Sequence, residues 1–256
     1  MKTSGHPSPL LVALALLLLR APAPLPAQPS GAPGVTESVF PLGSGAEMRY
    51  AISLPAGYAE APETPRPLVL ALHPGGRSVY YGSWFMQSIV EPALREWDAV
   101  IVAPDVPARS WSVPESERAV LALLADVTAR HAIDPDRMLV TGFSMGGAGT
   151  WYLAARNPDL FTGAIAVAAR PAADRLESFG QMPLYLIHSP DDEVVPYEPV
   201  EDAARELGAR GSPVELLGLP GATHYMMGAY VGPIRRGGEW IRERWEEREG
   251  GSGGVP

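Results

Sequence analysis

The stretch Val140-Thr141-Gly142-Phe143-Ser144-Met145-Gly146-Gly147 decides how this chain is built. The apolar run around Val140 is typical of a buried strand, and the small residues after Ser144 favour a helix that ends before Pro158. A G-x-S-x-G sequence between a strand and a helix forces a sharp, strained turn that lifts the serine hydroxyl clear of the sheet. The pattern therefore predicts Ser144 as a nucleophile, against the alternative of an ordinary glycine-rich turn.

The N-terminus is typical of a secretory signal peptide. Lys2 precedes an apolar run from Leu10 to Leu19, and a Pro/Ala-rich stretch continues to Ala27. This run is about half as long as the ~20 residues that span a bilayer, so no membrane anchor is expected. We expect a secreted or periplasmic protein with four segments: residues 1–27 as signal peptide, 28–46 as flexible leader and first edge segment, 47–249 as the catalytic domain, and 250–256 as a disordered tail.

The charge and the missing residue types exclude several partners and chemistries. The chain of 256 residues has a formal net charge of −9, and loss of Lys2 and Arg20 with the signal peptide makes the mature chain two units more acidic. Such a surface argues against nucleic acid and anionic membranes as partners. Because there is no cysteine and Lys2 is the only lysine, the mature chain has no thiol nucleophile, disulfide or Ser-Lys pair. A base for Ser144 has to be a histidine or a carboxylate.

Strand-like apolar runs alternate with helix-like segments, which favours a mostly parallel sheet with helices on both faces. The predicted strands are Met48–Leu54, Leu68–Leu72, Val100–Ala103, Met138–Thr141, Ala164–Ala168, Leu184–Ile187 and Val214–Leu217. The predicted helices are Trp84–Trp97, Glu115–His131, Ala148–Arg156, Val200–Leu207 and Glu239–Arg248. The segment between Ala168 and Leu184 is too short for an inserted helical cap, so an open site is expected.

Chain order narrows the choice of base among the five histidines. His6 leaves with the signal peptide, and His131 lies at a predicted helix end, where a capping role is expected. The order Ser, acid, His along the chain leaves His188 and His224. His188 ends an apolar strand ahead of the acid candidates, which favours a structural role, whereas His224 lies on a loop after a later strand. We therefore predict His224 as the general base.

Three adjacent acidic residues, Asp191, Asp192 and Glu193, are the candidates for the acid. A carboxylate at this place would hydrogen-bond the second nitrogen of the His224 imidazole and stabilise its protonated form. Spacing alone does not choose among the three. The two that are left over are expected to form a solvated acidic turn.

Two backbone amides are the candidates for an oxyanion hole. One is the amide of Met145, at the start of the helix that follows the serine. The other is expected from the loop after an early strand, where Pro74 has no amide hydrogen, Gly75 is the better donor and Gly76 is the next. His73 in the same loop is expected to brace it rather than to catalyse.

The interpretation of six aromatic residues stays open at the level of sequence. They fall on loops or helix starts near the expected mouth of the site, where they either line a cleft for an acyl or aryl group or pack in the core. The six are Tyr80, Tyr81, Trp84, Phe85, Trp111 and Tyr225.

The segment from Gly142 to Trp151, with Ile133-Asp134-Pro135-Asp136-Arg137 ahead of it, resembles secreted esterases of the α/β-hydrolase superfamily. The closest groups are the polyhydroxybutyrate-depolymerase-like and feruloyl-esterase-like enzymes and the dienelactone-hydrolase-like predicted peptidases. The similarity runs from about Met48 to Trp240. It implies an α/β-hydrolase fold with a mostly parallel central sheet, helices on both faces and no cap domain.

The resemblance also distinguishes among the acid candidates. In this family the acid lies in an H-G-x-x-D-x-x-V-P pattern, which the segment His188–Pro196 matches with Asp192 in the acid position. The chain departs from the family at Pro74 and Ser189, where the usual residue is glycine.

The function that the resemblance implies is that of a secreted serine hydrolase acting on carboxylic esters. Ser144 is the implied nucleophile, His224 the base, and Asp192 the acid that orients it. The amides of Met145 and Gly75 are implied to bind the oxyanion. No cofactor and no metal are implied, and the expected partner is a small-molecule or polymer-end ester. A serine peptidase of the same fold and a non-catalytic accessory domain are the alternatives, and the oligomeric state is open.

Overall fold

The computed structural model describes residues 34–43, 45–76, 79–171 and 173–252. The expected signal peptide over residues 1–27 and the leader up to residue 33 lie outside the described residues, as do residues 253–256. Among the described residues, no helix is both long enough and apolar enough to cross a bilayer.

The strands of the described part of the chain form one sheet. They are β1 (Gly34–Pro41), β2 (Glu47–Leu54), β3 (Arg66–Leu72), β4 (Val100–Pro104), β5 (Ile133–Phe143), β6 (Gly163–Val167), β7 (Leu184–His188) and β8 (Val214–Gly218). Their order across the sheet is β1-β2-β4-β3-β5-β6-β7-β8. The pairs β1–β2 and β2–β4 are antiparallel and the other pairs are parallel. The first edge strand lies inside the segment expected as leader and edge.

The helices are α1 (Tyr81–Phe85), α2 (Glu91–Leu94), α3 (Pro114–Arg130), α4 (Met145–Arg156), α5 (Glu198–Ala209) and α6 (Val231–Ser252). A π turn (Met86–Val90) joins α1 to α2, so the helix predicted over Trp84–Trp97 is one interrupted segment. Short 3-10 segments cover Arg95–Trp97, Ala173–Phe179 and Met227–Tyr230.

Helices cover both faces of the sheet because the strands are apolar on both sides. Along β3, Leu68, Leu70 and Leu72 pack into the core beneath α3, α4 and α5, while Val69 and Ala71 pack into the core beneath α1, α2 and α6. Successive residues of a strand point to opposite faces, so one strand serves both cores. The predicted fold class, a mostly parallel sheet with helices on both faces, is confirmed.

The last helix is longer than predicted at its start. It begins about two turns ahead of the predicted Glu239. The added turns contain Gly237 and Gly238, where a Cβ would lie 2.7 Å from the Tyr185 ring and 2.6 Å from a methyl of Leu94. Tertiary packing therefore requires the absence of side chains at these two helical positions.

The same helix is also longer than predicted at its end. It continues through Ser252 and so includes residues 250–252 of the segment expected as a tail over 250–256. Arg137, at the beginning of β5, binds Glu249 with Nη2 to Oε1 at 2.9 Å. This ion pair fixes the last turns of the helix to the sheet.

The carboxyl ends of the parallel strands lie along one edge of the sheet, where binding sites of such folds form. Between β6 and β7, the described residues hold only the short 3-10 segment and no helical cap. Among the described residues, no inserted cap domain covers this edge.

Candidate active site

Ser144 lies at the turn between β5 and α4, at the sheet edge just described. Its backbone angles are φ 55° and ψ −114°, in a region that residues with a side chain rarely adopt. Its amide donates to the carbonyl of Val167 at 2.9 Å, which fixes the turn against β6. The side chain is half-buried and faces the opening.

The glycines around Ser144 are required by close backbone packing. A Cβ on Gly142 would lie 2.4 Å from the backbone of Gly146, and a Cβ on Gly146 would lie 1.9 Å from the carbonyl oxygen of Leu72. A Cβ on Gly147 would lie 2.5 Å from a carbonyl oxygen of β6. The G-x-S-x-G-G sequence is thus explained by the space that the turn leaves.

Three predicted site residues form a continuous chain of hydrogen bonds. His224 Nε2 lies 2.8 Å from Ser144 Oγ, and His224 Nδ1 lies 2.8 Å from Asp192 Oδ2. An ionised carboxylate only accepts, so Nδ1 carries the proton and Nε2 is free to accept from the serine hydroxyl. His224 is 6% exposed, with the ring of Phe143 at 5.2 Å on one side and that of Tyr225 at 5.6 Å on another.

Asp192 is held as a carboxylate by its hydrogen bonds. Burial acts to raise the pKa of this carboxyl, but the hydrogen bonds from His224 and from the amides of Val195 and Val194 outweigh it and place the pKa below its usual value. The two amides donate to Oδ1 at 2.8 and 2.9 Å, so each oxygen has its own partners. A buried negative charge therefore lies directly behind the imidazole.

Asp191 and Glu193 do not reach the imidazole, but they are not a merely solvated turn either. Asp191 Oδ2 accepts the amide N–H of Gly221 at 2.6 Å, and Glu193 Oε2 accepts the amide N–H of His224 at 3.0 Å. Both side chains contact the loop that carries the base, which corrects the expectation from sequence. Nothing in the local sequence signals these contacts, because the partners are about thirty residues away.

His188 lies behind the acid and not at the serine. It is fully buried, and its Nε2 donates to the carbonyl of Val195 at 2.9 Å and lies 3.6 Å from Asp192 Oδ2. Burial lowers its pKa, which keeps the ring neutral. Ser189, one of the two departures from the family pattern, is also buried, and its hydroxyl accepts the amide N–H of Asp191 at 3.0 Å.

His73 braces the loop after β3, as expected. Its Nε2 lies 3.0 Å from the amide nitrogen of Val106 and its Nδ1 lies 2.6 Å from the carbonyl oxygen of Pro74. Because an amide can only donate, Nε2 accepts and Nδ1–H donates to Pro74. Burial lowers the pKa of His73, and its backbone carbonyl accepts the indole N–H of Trp111 at 3.0 Å.

The two amides predicted for the oxyanion hole lie at neighbouring strand ends. Met145 is the first residue of α4, and Gly75 follows β3, the strand adjacent to β5. Gly146 packs directly on the end of β3, since its Cβ position lies 1.9 Å from Leu72 O and 2.8 Å from His73 O. Within the described ranges, neither predicted amide N–H has a hydrogen-bond partner.

A cleft of about 700 Å³ adjoins Met145 and Gly76. It lies on the β4 side of the serine, whereas His224 lies on the β8 side. The carboxylate of Asp105 in its wall accepts the amides of Tyr80 and Gly82 at 2.7 and 2.9 Å. The cleft is lined by Arg49, His73, Gly76, Val79, Asp105, Val106, Ala108, Arg109 and Met145.

Of the six aromatic residues, two are buried, two are exposed, and Tyr80 and Tyr81 are half-buried. Phe85 and Trp111 are buried in the core, at 1% and 0% exposure. Trp84 stacks on Tyr81 at 5.2 Å and is 41% exposed, and Tyr225 is 73% exposed beside the imidazole of the predicted base. In the part of the chain that the structure describes, no group of three or more His, Asp or Glu side chains has a metal-binding arrangement.

Comparison with known proteins finds a family whose sequence model matches part of the chain. The sequence model of the dienelactone hydrolase family matches residues 108–229. A Salmonella typhi protein assigned as a carboxymethylenebutenolidase is 28% identical over 158 residues, which cover 56% of this chain and 58% of that protein. The chain spans about half the length of the curated relatives it matches.

Solved structures show the same fold. A thermostable esterase superposes with a TM-score of 0.71 at 24% identity, over 82% of this chain and 62% of the other. A ferulic acid esterase superposes with a TM-score of 0.70 at 13% identity, over 84% of this chain and 100% of the other. The structure therefore has an α/β-hydrolase-like fold, and residues 108–229 are similar to the dienelactone hydrolase family.

Proposed function

We propose that the protein is a secreted serine hydrolase that cleaves carboxylic esters through an acyl-enzyme. The observation that carries the proposal is the chain of hydrogen bonds from Ser144 Oγ through His224 to Asp192, with both links at 2.8 Å. The strained turn holds the nucleophile at the open edge of the sheet. Secretion rests on the N-terminal sequence alone, with its apolar run from Leu10 to Leu19.

In the acylation step, Ser144 Oγ attacks the ester carbonyl carbon while His224 Nε2 takes the hydroxyl proton. The buried Asp192 carboxylate stabilises the imidazolium that forms. The amides of Met145 and Gly75 donate to the oxyanion of the tetrahedral intermediate. Collapse of the intermediate breaks the bond to the alcohol, which leaves with the proton from His224.

In the deacylation step, water replaces the alcohol. His224 Nε2 takes a proton from the water as it attacks the acyl carbon, and returns a proton to Ser144 Oγ as the carboxylic acid is released. The enzyme regains its starting state, and one water is consumed per ester cleaved.

The positions of the two substrate halves follow from the same geometry. The leaving oxygen has to lie beside His224 Nε2 to receive the proton, on the β8 side of Ser144. The acyl group then extends to the other side, into the cleft beside Met145 and Gly76. Because no cap covers this edge among the described residues, binding energy comes mainly from groups near the ester, and short or aromatic acyl groups are favoured.

The test is turnover of p-nitrophenyl esters by the purified protein, alongside a p-nitroanilide of the same acyl group. Ester hydrolysis that falls by several orders of magnitude in Ser144→Ala supports the proposal. Ser38→Ala is the matched control, since Ser38 lies on the edge strand β1. Turnover by a folded Ser144→Ala protein at the wild-type rate contradicts the proposal, and faster cleavage of the anilide would identify a peptidase instead.

A further inference from the structure

The two carboxylates beside the acid contact the loop of the base at two separate backbone positions. Asp191 binds the amide of Gly221, three residues ahead of His224, and Glu193 binds the amide of His224 itself. Asp192, between them, binds the side chain of the same histidine. Three consecutive carboxylates thus hold one short loop at three points.

The loop has little of its own to hold it. It leaves β8 and turns at Gly221, whose φ is +83°. Its internal backbone hydrogen bonds are long, at 3.3 Å from Ala222 N to Leu219 O and 3.2 Å from Met226 N to Thr223 O. The shorter contacts of the loop come from the end of β7, where Leu219 N donates to His188 O at 2.9 Å, and from the acidic segment that follows β7. Beyond Leu219, the polar contacts that hold the loop come from the acidic segment.

The acidic segment is itself fixed. The Asp191 amide donates to the buried hydroxyl of Ser189, and the amides of Val194 and Val195 donate to the carboxylate of Asp192. A segment held by its own hydrogen bonds can present three carboxylates to the loop at fixed positions. Hydrogen bonds from an amide to an ionised carboxylate are shorter and stronger than those between neutral groups.

We propose that Asp191 and Glu193 are positioning residues, which hold the loop so that His224 Nε2 remains within hydrogen-bond distance of Ser144 Oγ. The inference rests on the proposed function, because it assigns a role within that reaction. The imidazole of His224 has one side-chain anchor at Nδ1, and Glu193 supplies a second anchor at the backbone of the same residue. A base displaced by about 1 Å can cost about 100-fold in rate, so small losses of position have large effects on turnover.

The role predicts a specific pattern among variants. Asp191→Ala and Glu193→Ala remove the acceptor, and each is expected to lower kcat about tenfold with KM changed less than about twofold. Asp191→Asn and Glu193→Gln keep an acceptor oxygen and are expected to restore most of kcat. Glu198→Gln is the control for loss of one negative charge, since Glu198 is exposed at the start of α5. Both anchoring side chains are exposed, so melting temperatures are expected to change little.

A double-mutant cycle with His224→Ala separates positioning from a general effect. If Asp191 and Glu193 act through His224, their replacement by alanine has no further effect on the residual rate of the His224→Ala protein. Equal losses in both backgrounds overturn the inference, as does an unchanged kcat in the alanine variants. The inference is also overturned if the loss of kcat in the alanine variants parallels a fall in melting temperature and is absent neither in Asp191→Asn nor in Glu193→Gln. A wild-type protein without esterase activity overturns the proposed function, and the inference with it, whereas an active wild type with unaffected variants overturns the inference alone.

Discussion

Replacement of Asp192 by asparagine changes a single atom in the chain of hydrogen bonds from Ser144 through His224 to Asp192. Oδ2 accepts the Nδ1–H of His224 at 2.8 Å, while Oδ1 accepts the amides of Val194 and Val195 at 2.9 and 2.8 Å. An asparagine has one oxygen and one NH₂ group, so it cannot accept on both sides. One set of these hydrogen bonds has to be lost.

Each orientation of the new side chain has a definite cost. If its oxygen remains with the two amides, the NH₂ faces His224 Nδ1, which must then be unprotonated, and the ring proton moves to Nε2, the atom needed as base. The opposite orientation turns the NH₂ group toward the exposed amide of Val194 and the part-buried amide of Val195, which lose their charged acceptor at about 1–3 kcal/mol each. The productive tautomer is therefore disfavoured by about 2–6 kcal/mol, which corresponds to a loss of roughly 30-fold to 10⁴-fold in rate.

The assay is kcat for p-nitrophenyl acetate, with melting temperature as the check on folding. We expect Asp192→Asn to lower kcat by about 10³-fold. Asp191→Asn is the control, because it keeps an oxygen for the amide of Gly221, and its loss is expected to stay within about threefold. A decrease of kcat by less than about tenfold for Asp192→Asn, or an equal decrease for Asp191→Asn, would contradict the proposed role of Asp192.

The remaining predictions concern the oxyanion hole, stability and specificity. Gly75→Pro removes a proposed donor to the oxyanion and is expected to lower kcat about 100-fold. Gly75→Ala keeps the amide, and its added Cβ would have no atom within 4 Å, so kcat is expected to stay nearly unchanged; equal losses in the two variants would exclude Gly75 as a donor. The buried hydroxyl of Tyr230, whose pKa burial raises to about 12, has no hydrogen-bond partner among the described residues. Tyr230→Phe is therefore expected to keep or increase the free energy of unfolding in urea melts, and a clear decrease would show that the hydroxyl has a partner. Burial lowers the pKa values of His73 and His188 from 6.5, so these residues bind protons more readily in the unfolded chain than in the folded one. The free energy of unfolding is therefore expected to fall as the pH drops below about 6.5, and an unchanged free energy between about pH 7.5 and 5.5 would contradict this. Values of kcat/KM for p-nitrophenyl esters from acetate to palmitate are expected to favour short chains without a jump at the micelle threshold, and a steady rise to palmitate would refute an open site.

The fold could be predicted from sequence because its signals are local. Each buried parallel strand is a short apolar run, and the turn at Ser144 needs small residues at Gly142 and Gly146, which the sequence shows directly. Two glycines of α6 show the limit of such signals. Glycine has a low helix propensity, but Gly237 and Gly238 are helical and pack against side chains that come from elsewhere in the chain.

The residue types and the chain order of the candidate site could be predicted from sequence, but the hydrogen-bond partners of its neighbouring residues could not. The structure brings Ser144, His224 and Asp192 together, and their catalytic roles stay predictions. The hydrogen bonds of Asp191 and Glu193 could not be anticipated, since they depend on the separation of two loops at the sheet edge. The sequence predicts that an acidic residue is exposed, but it does not show which backbone amide that residue contacts.

In the proposed mechanism Ser144 becomes acylated during turnover, which a pre-steady-state burst with p-nitrophenyl acetate followed by peptide mass analysis measures directly. We expect a burst of about one p-nitrophenol per chain and an acetyl group on the peptide that contains Ser144, both absent in Ser144→Ala. Turnover of the ester by the wild type with the acetyl group on another residue, or an equal burst in Ser144→Ala, would contradict it.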